Sequence, residues 1–235
     1  MNFDYNNFFE INMIKDYNSN KMKHITENEV MFLKRYIPNK NSKVLDIMCG
    51  YGRLANSLYN EGYLNITGVD VDDYLFIPEK KLFKFIKTDY FNNNLKDIYD
   101  FCYSIYNSYP NINSFLEVID RCENNIEKNG ILIIDIFSKE WRDRLEKYSK
   151  RTLIDDKDFL VELEREYDEE YETSRYCIFN RNTDEKKEYQ YKQCVISRDK
   201  LLECIPSNWD ATILNSKEEK TRDDDQKHIL VLKRR

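Results

Sequence analysis

Short apolar runs alternate with amphipathic stretches over the first 140 or so residues, and the pattern changes character after that. Residues 44–47, 66–69, 82–86 and 99–105 are brief runs rich in β-branched and aromatic side chains, bounded by turn residues, and they predict strands. Residues 131–137, Ile-Leu-Ile-Ile-Asp-Ile-Phe, are almost wholly apolar, as a strand covered on both faces must be. Between these runs, residues 54–60 and 114–125 place apolar side chains at helical spacing. Gly62 ends the first helix, and Lys128-Asn129-Gly130 is expected to end the second. Upstream, residues 1–40 read as helical. Thr26 is expected to cap the run 27–36, Glu29 to complete a capping box, and Pro38 to close the segment. Strand–helix alternation over residues 44–137 predicts a parallel, doubly wound sheet.

From residue 159 the period shortens to two. Residues 159–167, 171–179 and 188–196 alternate polar and apolar positions with frequent aromatics, which predicts three antiparallel strands. Ser197 is placed to cap a short helix through Cys204. Residues 211–214 and 228–232 then supply two last strands around a charged hairpin at 217–225. The apolar runs outside the antiparallel segment total seven strands.

Composition narrows the picture modestly. With 235 residues, 41% hydrophobic and 34% charged, the chain suits one sizeable α/β domain with a small appendage. No apolar run nears the ~20 residues that span a bilayer, and the N-terminus lacks the basic and apolar regions of a secretory signal. The six cysteines are scattered without a C-x-x-C pair, so neither a disulfide framework nor a zinc site is expected, and a reducing cytoplasm is the simple reading. A net charge of −6 argues against a general polyanion binder.

Chemistry concentrates in residues 43–53, Lys-Val-Leu-Asp-Ile-Met-Cys-Gly-Tyr-Gly-Arg, followed after one helix by Gly68-Val69-Asp70. A strand, a glycine turn, a helix and a second strand ending in an acid form an adenosine-cofactor signature. Asp70, about twenty residues beyond the turn, suits a ribose diol. In a dinucleotide site the turn receives a pyrophosphate on a helix N-terminus. Asp46 would oppose that charge. An acid there instead suits the ammonium of an amino-acid end, directly or through water. Two acids bracketing the turn favour S-adenosylmethionine over NAD.

With these motifs the chain resembles the class I S-adenosylmethionine-dependent methyltransferases, specifically the small-molecule branch with an antiparallel insert after the fifth strand. Carrying the resemblance are the segment 26–33, Val44 to Arg53, Gly68-Val69-Asp70, Lys87-Thr88-Asp89, Asn107-Ser108-Tyr109 and Asn129-Gly130-Ile131-Leu132. It implies an α/β fold with a Rossmann-like, mostly parallel seven-stranded core (41–150 and 197–235). An N-terminal helical lid (1–40) and an insert (151–196) roofing the active site complete it. It further implies that Asp46 and the backbone from Gly50 to Gly52 hold the methionine end, that Asp70 takes the ribose hydroxyls, and that Val71 packs on adenine. Asp89 would accept from the adenine amino group with Tyr90 beside it, and Tyr106 would lie near the sulfonium as a catalytic candidate. Met48 and Ile105 would also contact the cofactor, and Tyr17 would fold over it. Met48 stands where the family usually has glycine, which makes this turn less permissive.

The acceptor side is less defined. In-line transfer from a sulfonium draws much of its rate from positioning and water exclusion, and a base is needed only when the acceptor must lose a proton. The chain has two histidines: His24, in the lid region, is the candidate base, and His228 reads as structural. Tyr106, Asn107 and Tyr109 are expected to line the acceptor pocket, with Arg175 and Tyr191 reaching in from the insert. The loop Ser104-Ile105-Tyr106-Asn107-Ser108-Tyr109-Pro110 lacks the N-P-P-Y signature of base-amine methylation, which disfavours nucleic acid. The expectation is therefore a cytoplasmic methyltransferase for an O or N atom of a small molecule or a peptide terminus, monomeric or homodimeric, without membrane or metal. Two alternatives stay open: an NAD-dependent oxidoreductase, since residues 50–55 formally fit G-x-G-x-x-A, and a non-catalytic cofactor-binding module.

Overall fold

The computed structural model describes residues 19–73, 80–145, 151–155, 157–221 and 225–235; the expectation for Tyr17 lies outside them. Helix α1 (Asn20–Leu33) starts earlier than the sequence predicts. Ser19, not Thr26, is its N-cap, accepting from the Met22 backbone N–H at 3.0 Å. Thr26 lies inside the helix and bonds back to the Met22 carbonyl at 2.7 Å, the usual escape for a threonine in mid-helix.

The strands and helices then follow in the order expected: β1 (Val44–Ile47), α2 (Arg53–Asn60), β2 (Ile66–Asp70), β3 (Lys84–Lys87), β4 (Tyr99–Ser104), α3 (Ile112–Glu123) and β5 (Ile126–Ser138). Helix α4 (Lys139–Leu145) leads to β6 (Arg151–Asp155), β7 (Phe159–Tyr167), β8 (Tyr171–Asn180) and β9 (Glu185–Ile196). Helix α5 (Arg198–Cys204), β10 (Trp209–Asn215) and β11 (Lys227–Arg234) complete the chain.

Gly130 does not stop a helix. Helix α3 ends at Glu123 with Asn124 as its C-cap, and β5 already begins at Ile126. The β4–β5 register jumps from Tyr99↔Ile126 to Phe101↔Ile131, so residues 127–130 bulge out, with Asn129 at φ 67°. A Cβ on Gly130 would lie 2.6 Å from Ile126 Cγ1, which is why the bulge needs glycine.

Strands β3, β2, β1, β4 and β5 are parallel neighbours in that order; β11 adds to β5 antiparallel and β10 to β11 antiparallel, making the seven-stranded core. The insert is an antiparallel meander of four strands, β6 to β9, rather than three. Its extra strand, Arg-Thr-Leu-Ile-Asp, is an exposed edge with no alternation to betray it. Strand β9 pairs in parallel with Phe137 and Ser138 of β5, beyond the point where β4 leaves the sheet at Ser104. The insert therefore continues the main sheet at the C-terminal end of β4.

Alternation along β1 divides the core. Leu45 and Ile47 pack toward α3 and α5, while Val44 packs with Phe32, Leu33, Leu54 and Leu58 of α1 and α2. Asp46 shares the parity of Val44. No described helix is long and apolar enough to cross a membrane.

Candidate cofactor cleft

At the C-terminal ends of β1, β2 and β4 a cleft of about 250 Å³ is lined by residues that include Asp46, Met48, Gly50, Arg53, Asp70 and Tyr106. This is where parallel α/β sheets hold ligands. The turn after β1 is built from left-handed residues: Met48 at φ 56°, Gly50 at 56° and Gly52 at 88°. Met48 thus adopts a glycine-like conformation at a strain of about 1 kcal/mol. Gly52 also meets a packing demand, since a Cβ there would sit 2.4 Å from the Phe83 ring.

Both acids reach the cleft. Asp70 ends β2 and accepts from the Gly50 N–H at 2.8 Å and the Asp72 N–H at 3.2 Å, so it ties the glycine turn to the neighbouring strand. A carboxylate has about four lone-pair sites, so room remains for a diol. Burial raises its pKa against these backbone donors. Asp46 is 4% exposed and accepts from the Tyr103 hydroxyl at 2.8 Å. Burial pushes its pKa to about 8, opposed by that hydrogen bond and by Arg53 and reinforced by Asp70. Burial also raises the Cys49 thiol, so it is no thiolate nucleophile.

Arg53, at the start of α2, escaped the sequence reading as a site residue. Its Nη1 donates to Thr26 Oγ1 at 2.8 Å and its Nη2 to Glu29 Oε2 at 2.6 Å. Its Cζ lies 5.3 Å from the centre of the Tyr106 ring. Burial works against its charge, but Glu29 more than compensates and its pKa is raised. Glu29 is thus a buried counter-ion, not half of a capping box. Only the contact across 24 residues reveals this.

The wall after β4 is held from below. Tyr106 takes φ 72°, and its backbone N–H donates to both oxygens of buried Asp135 at 3.2 and 3.1 Å. Lys227, equally buried, donates to Asp135 at 3.3 Å and to the Asn107 carbonyl at 2.9 Å. Tyr106, Asn107 and Ile105 all line the cleft.

Other expected residues do not line this cleft. Val71 is 61% exposed beside Asp70. Asp89 closes its own turn, accepting from the Phe91 N–H at 2.9 Å. Tyr90 is buried in the core with its hydroxyl on Asn125, and Tyr109 is buried with its hydroxyl on Ser104. His24 is on the solvent side of α1, where it meets Asn28; His228 is buried against Glu140. Arg175 pairs with Glu166 on the exposed face of the insert. Tyr191 is half-buried and bonds Ser108, next to the cleft loop.

This is the fold of the S-adenosylmethionine-dependent methyltransferases. A methyltransferase of that kind from Clostridium acetobutylicum superposes with a TM-score of 0.66 at 15% identity, covering 97% of this chain and 98% of its own. The sugar N-methyltransferase KedS8 from a Streptoalloteichus species gives 0.68 at 13%, with 100% and 94% covered. CalS10, an amino pentose methyltransferase from Micromonospora echinaspora solved with S-adenosylmethionine bound, gives 0.66 at 9%, with 100% and 99% covered. No protein-family model and no curated protein sequence matches the chain.

Proposed function

We propose that the protein is an S-adenosylmethionine-dependent methyltransferase that acts on an O or N atom of a small molecule. The observation that carries this reading is the pair Asp46 and Asp70, on adjacent strands, bracketing a left-handed turn in one cleft. The donor set fits the cofactor. Asp46 would receive the ammonium of the amino-acid end, the turn backbone would lie along it, and Asp70 would take the ribose hydroxyls. The bound cofactor supplies an electrophilic methyl on a sulfonium.

Protein residues then orient the acceptor and exclude water. Tyr106 and Asn107 form the wall beside the reacting end, fixed by Asp135 and Lys227. Helix α1 reaches the cleft through Met22 and holds Arg53 through Glu29. The insert roofs the acceptor side, supported by the Tyr191–Ser108 contact and by Cys194 N–H donating to the Tyr109 carbonyl at 2.7 Å. A sugar amine is the acceptor to try first, because KedS8 and CalS10 are named for such substrates.

The test is incubation with methyl-labelled S-adenosylmethionine and a panel of amino and hydroxy sugars, followed by mass spectrometry. Label on a sugar, with S-adenosylhomocysteine formed in equal amount, supports the reading. Cofactor binding without transfer to any of a broad panel of amines, alcohols and peptide termini favours a binding module.

A further inference from the structure

The insert ends on a strand edge that invites a partner. Among the described residues β6 (Arg151–Asp155) pairs only with β7, so the sheet stops there and one side of the strand faces away from it. Every residue of β6 is exposed, Leu153 at 66% and Ile154 at 46%. Sheet edges are commonly blunted by proline, lysine or a bulge, and Arg-Thr-Leu-Ile-Asp has none of these. Its charges have opposite signs and stand symmetrically about Leu153. That symmetry fits one partner in particular. If the strand meets its own copy antiparallel about a two-fold axis at Leu153, Arg151 faces the copy's Asp155 and Asp155 faces the copy's Arg151. Thr152 then faces Ile154, and Leu153 faces Leu153. A slip of one residue inverts the copy's faces. A slip of two sets a charge opposite Leu153.

We propose that β6 pairs with β6 of a second copy of this chain, joining the two inserts into one continuous antiparallel sheet. Charge supports that occupant. Glu164 already pairs with Arg151, and Arg181 with Asp155. Across the junction Glu164, Arg151, Asp155 and Arg181 would alternate in sign, once on each side of the axis, and such a network holds better than isolated surface pairs. Ile154 adds an apolar contact, since it stands opposite Val161 at the open end of the insert's small cluster of Phe159, Val161 and Ile178. The pairing takes nothing from the cleft and stands whatever the cleft binds. A strand of 5 residues makes a small interface, so the dimer should be a weak, micromolar one.

Sedimentation equilibrium of the full chain across the micromolar range tests the proposal. The wild type should pass from monomer to dimer. Arg151→Glu sets two carboxylates against each other on both sides of the axis, and Asp155→Lys sets two cations, so each should weaken the dimer about tenfold or more. Mixed in equal amounts, the two variants again place opposite charges across both junctions. The mixture should recover to within about threefold of the wild-type dissociation constant. Damage within either chain, such as loss of the Glu164 or Arg181 contact, would not reverse on mixing. Leu153→Lys, at an exposed position, brings two ammonium groups together on the axis and should abolish the dimer. It serves if a charge-reversed variant fails to fold.

A wild type that stays monomeric throughout the range would overturn the proposal. So would a dimer that survives Leu153→Lys, or charge-reversed variants that dimerise as well as the wild type or do not recover when mixed.

Discussion

Removing the charge of Asp46 should stabilise the protein at pH 8 relative to pH 5 while weakening cofactor binding. The carboxyl is 4% exposed, and burial raises its pKa from 3.8 to about 8. Folding therefore favours the protonated acid throughout that window. The contribution is complete below pH 3.8 and is lost as pH rises toward 8. Each pH unit in the window costs about 1.4 kcal/mol, so about 4 kcal/mol disappears between pH 5 and pH 8. Asp46→Asn cannot ionise, and its amide oxygen can still accept from Tyr103. The stability difference between variant and wild type should shift by about that amount in the variant's favour, or roughly 8–16 °C in relative Tm for a chain of this size. Urea unfolding of both proteins at pH 5, 6, 7 and 8 measures the shift directly and cancels the titration of groups not coupled to Asp46. Parallel pH profiles for the two proteins would refute the reasoning. Function supplies the reason to retain such a cost: the ammonium of the cofactor would favour the carboxylate form, so wild-type affinity for S-adenosylhomocysteine should rise from pH 6 to pH 8. That rise should be absent in the variant.

Further expectations follow from packing and from the buried pair behind the cleft. Gly68→Ala would set a Cβ 2.4 Å from the Phe83 ring and 2.9 Å from Cys49 Sγ. It should cost about 1–3 kcal/mol in urea unfolding, and a fully stable variant would contradict the packing. Lys227→Met leaves Asp135 buried without its cation and should cost about 3–5 kcal/mol, most of it recovered in Asp135→Asn/Lys227→Met. If the double variant is no better than the single one, the ion-pair account is wrong. His24→Ala, on the solvent side of α1, should leave S-adenosylhomocysteine affinity and melting temperature unchanged; a loss of more than about tenfold would place it at the site after all.

What the sequence made legible was local. The strands around residues 44–47, 66–69 and 131–137 declare themselves by apolar runs, and Asp46 and Asp70 by their spacing from a glycine turn. Met48 stands out in the turn and takes a left-handed dihedral of the kind that glycine adopts. Contacts between distant segments were not legible. Glu29 looks like a capping residue because its helix start was misplaced by several positions, whereas its partner Arg53 lies 24 residues on. The same holds for Asp135 and Lys227, 92 residues apart, and for Gly130, whose role depends on a bulge against β4. Tyr109 and Tyr90 were drawn toward the site by their place after strands, yet both hydroxyls find partners in the core. Strand β6 was missed because an edge exposed on both faces carries no period-two signal.

The central claim is tested most directly by calorimetric titration of the wild type and Asp70→Ala with S-adenosylhomocysteine and, separately, with NAD. The account predicts micromolar binding of S-adenosylhomocysteine by the wild type, about −8 kcal/mol, its loss in the variant, and no heat with NAD. Binding of NAD in place of S-adenosylhomocysteine, or of neither, would contradict it.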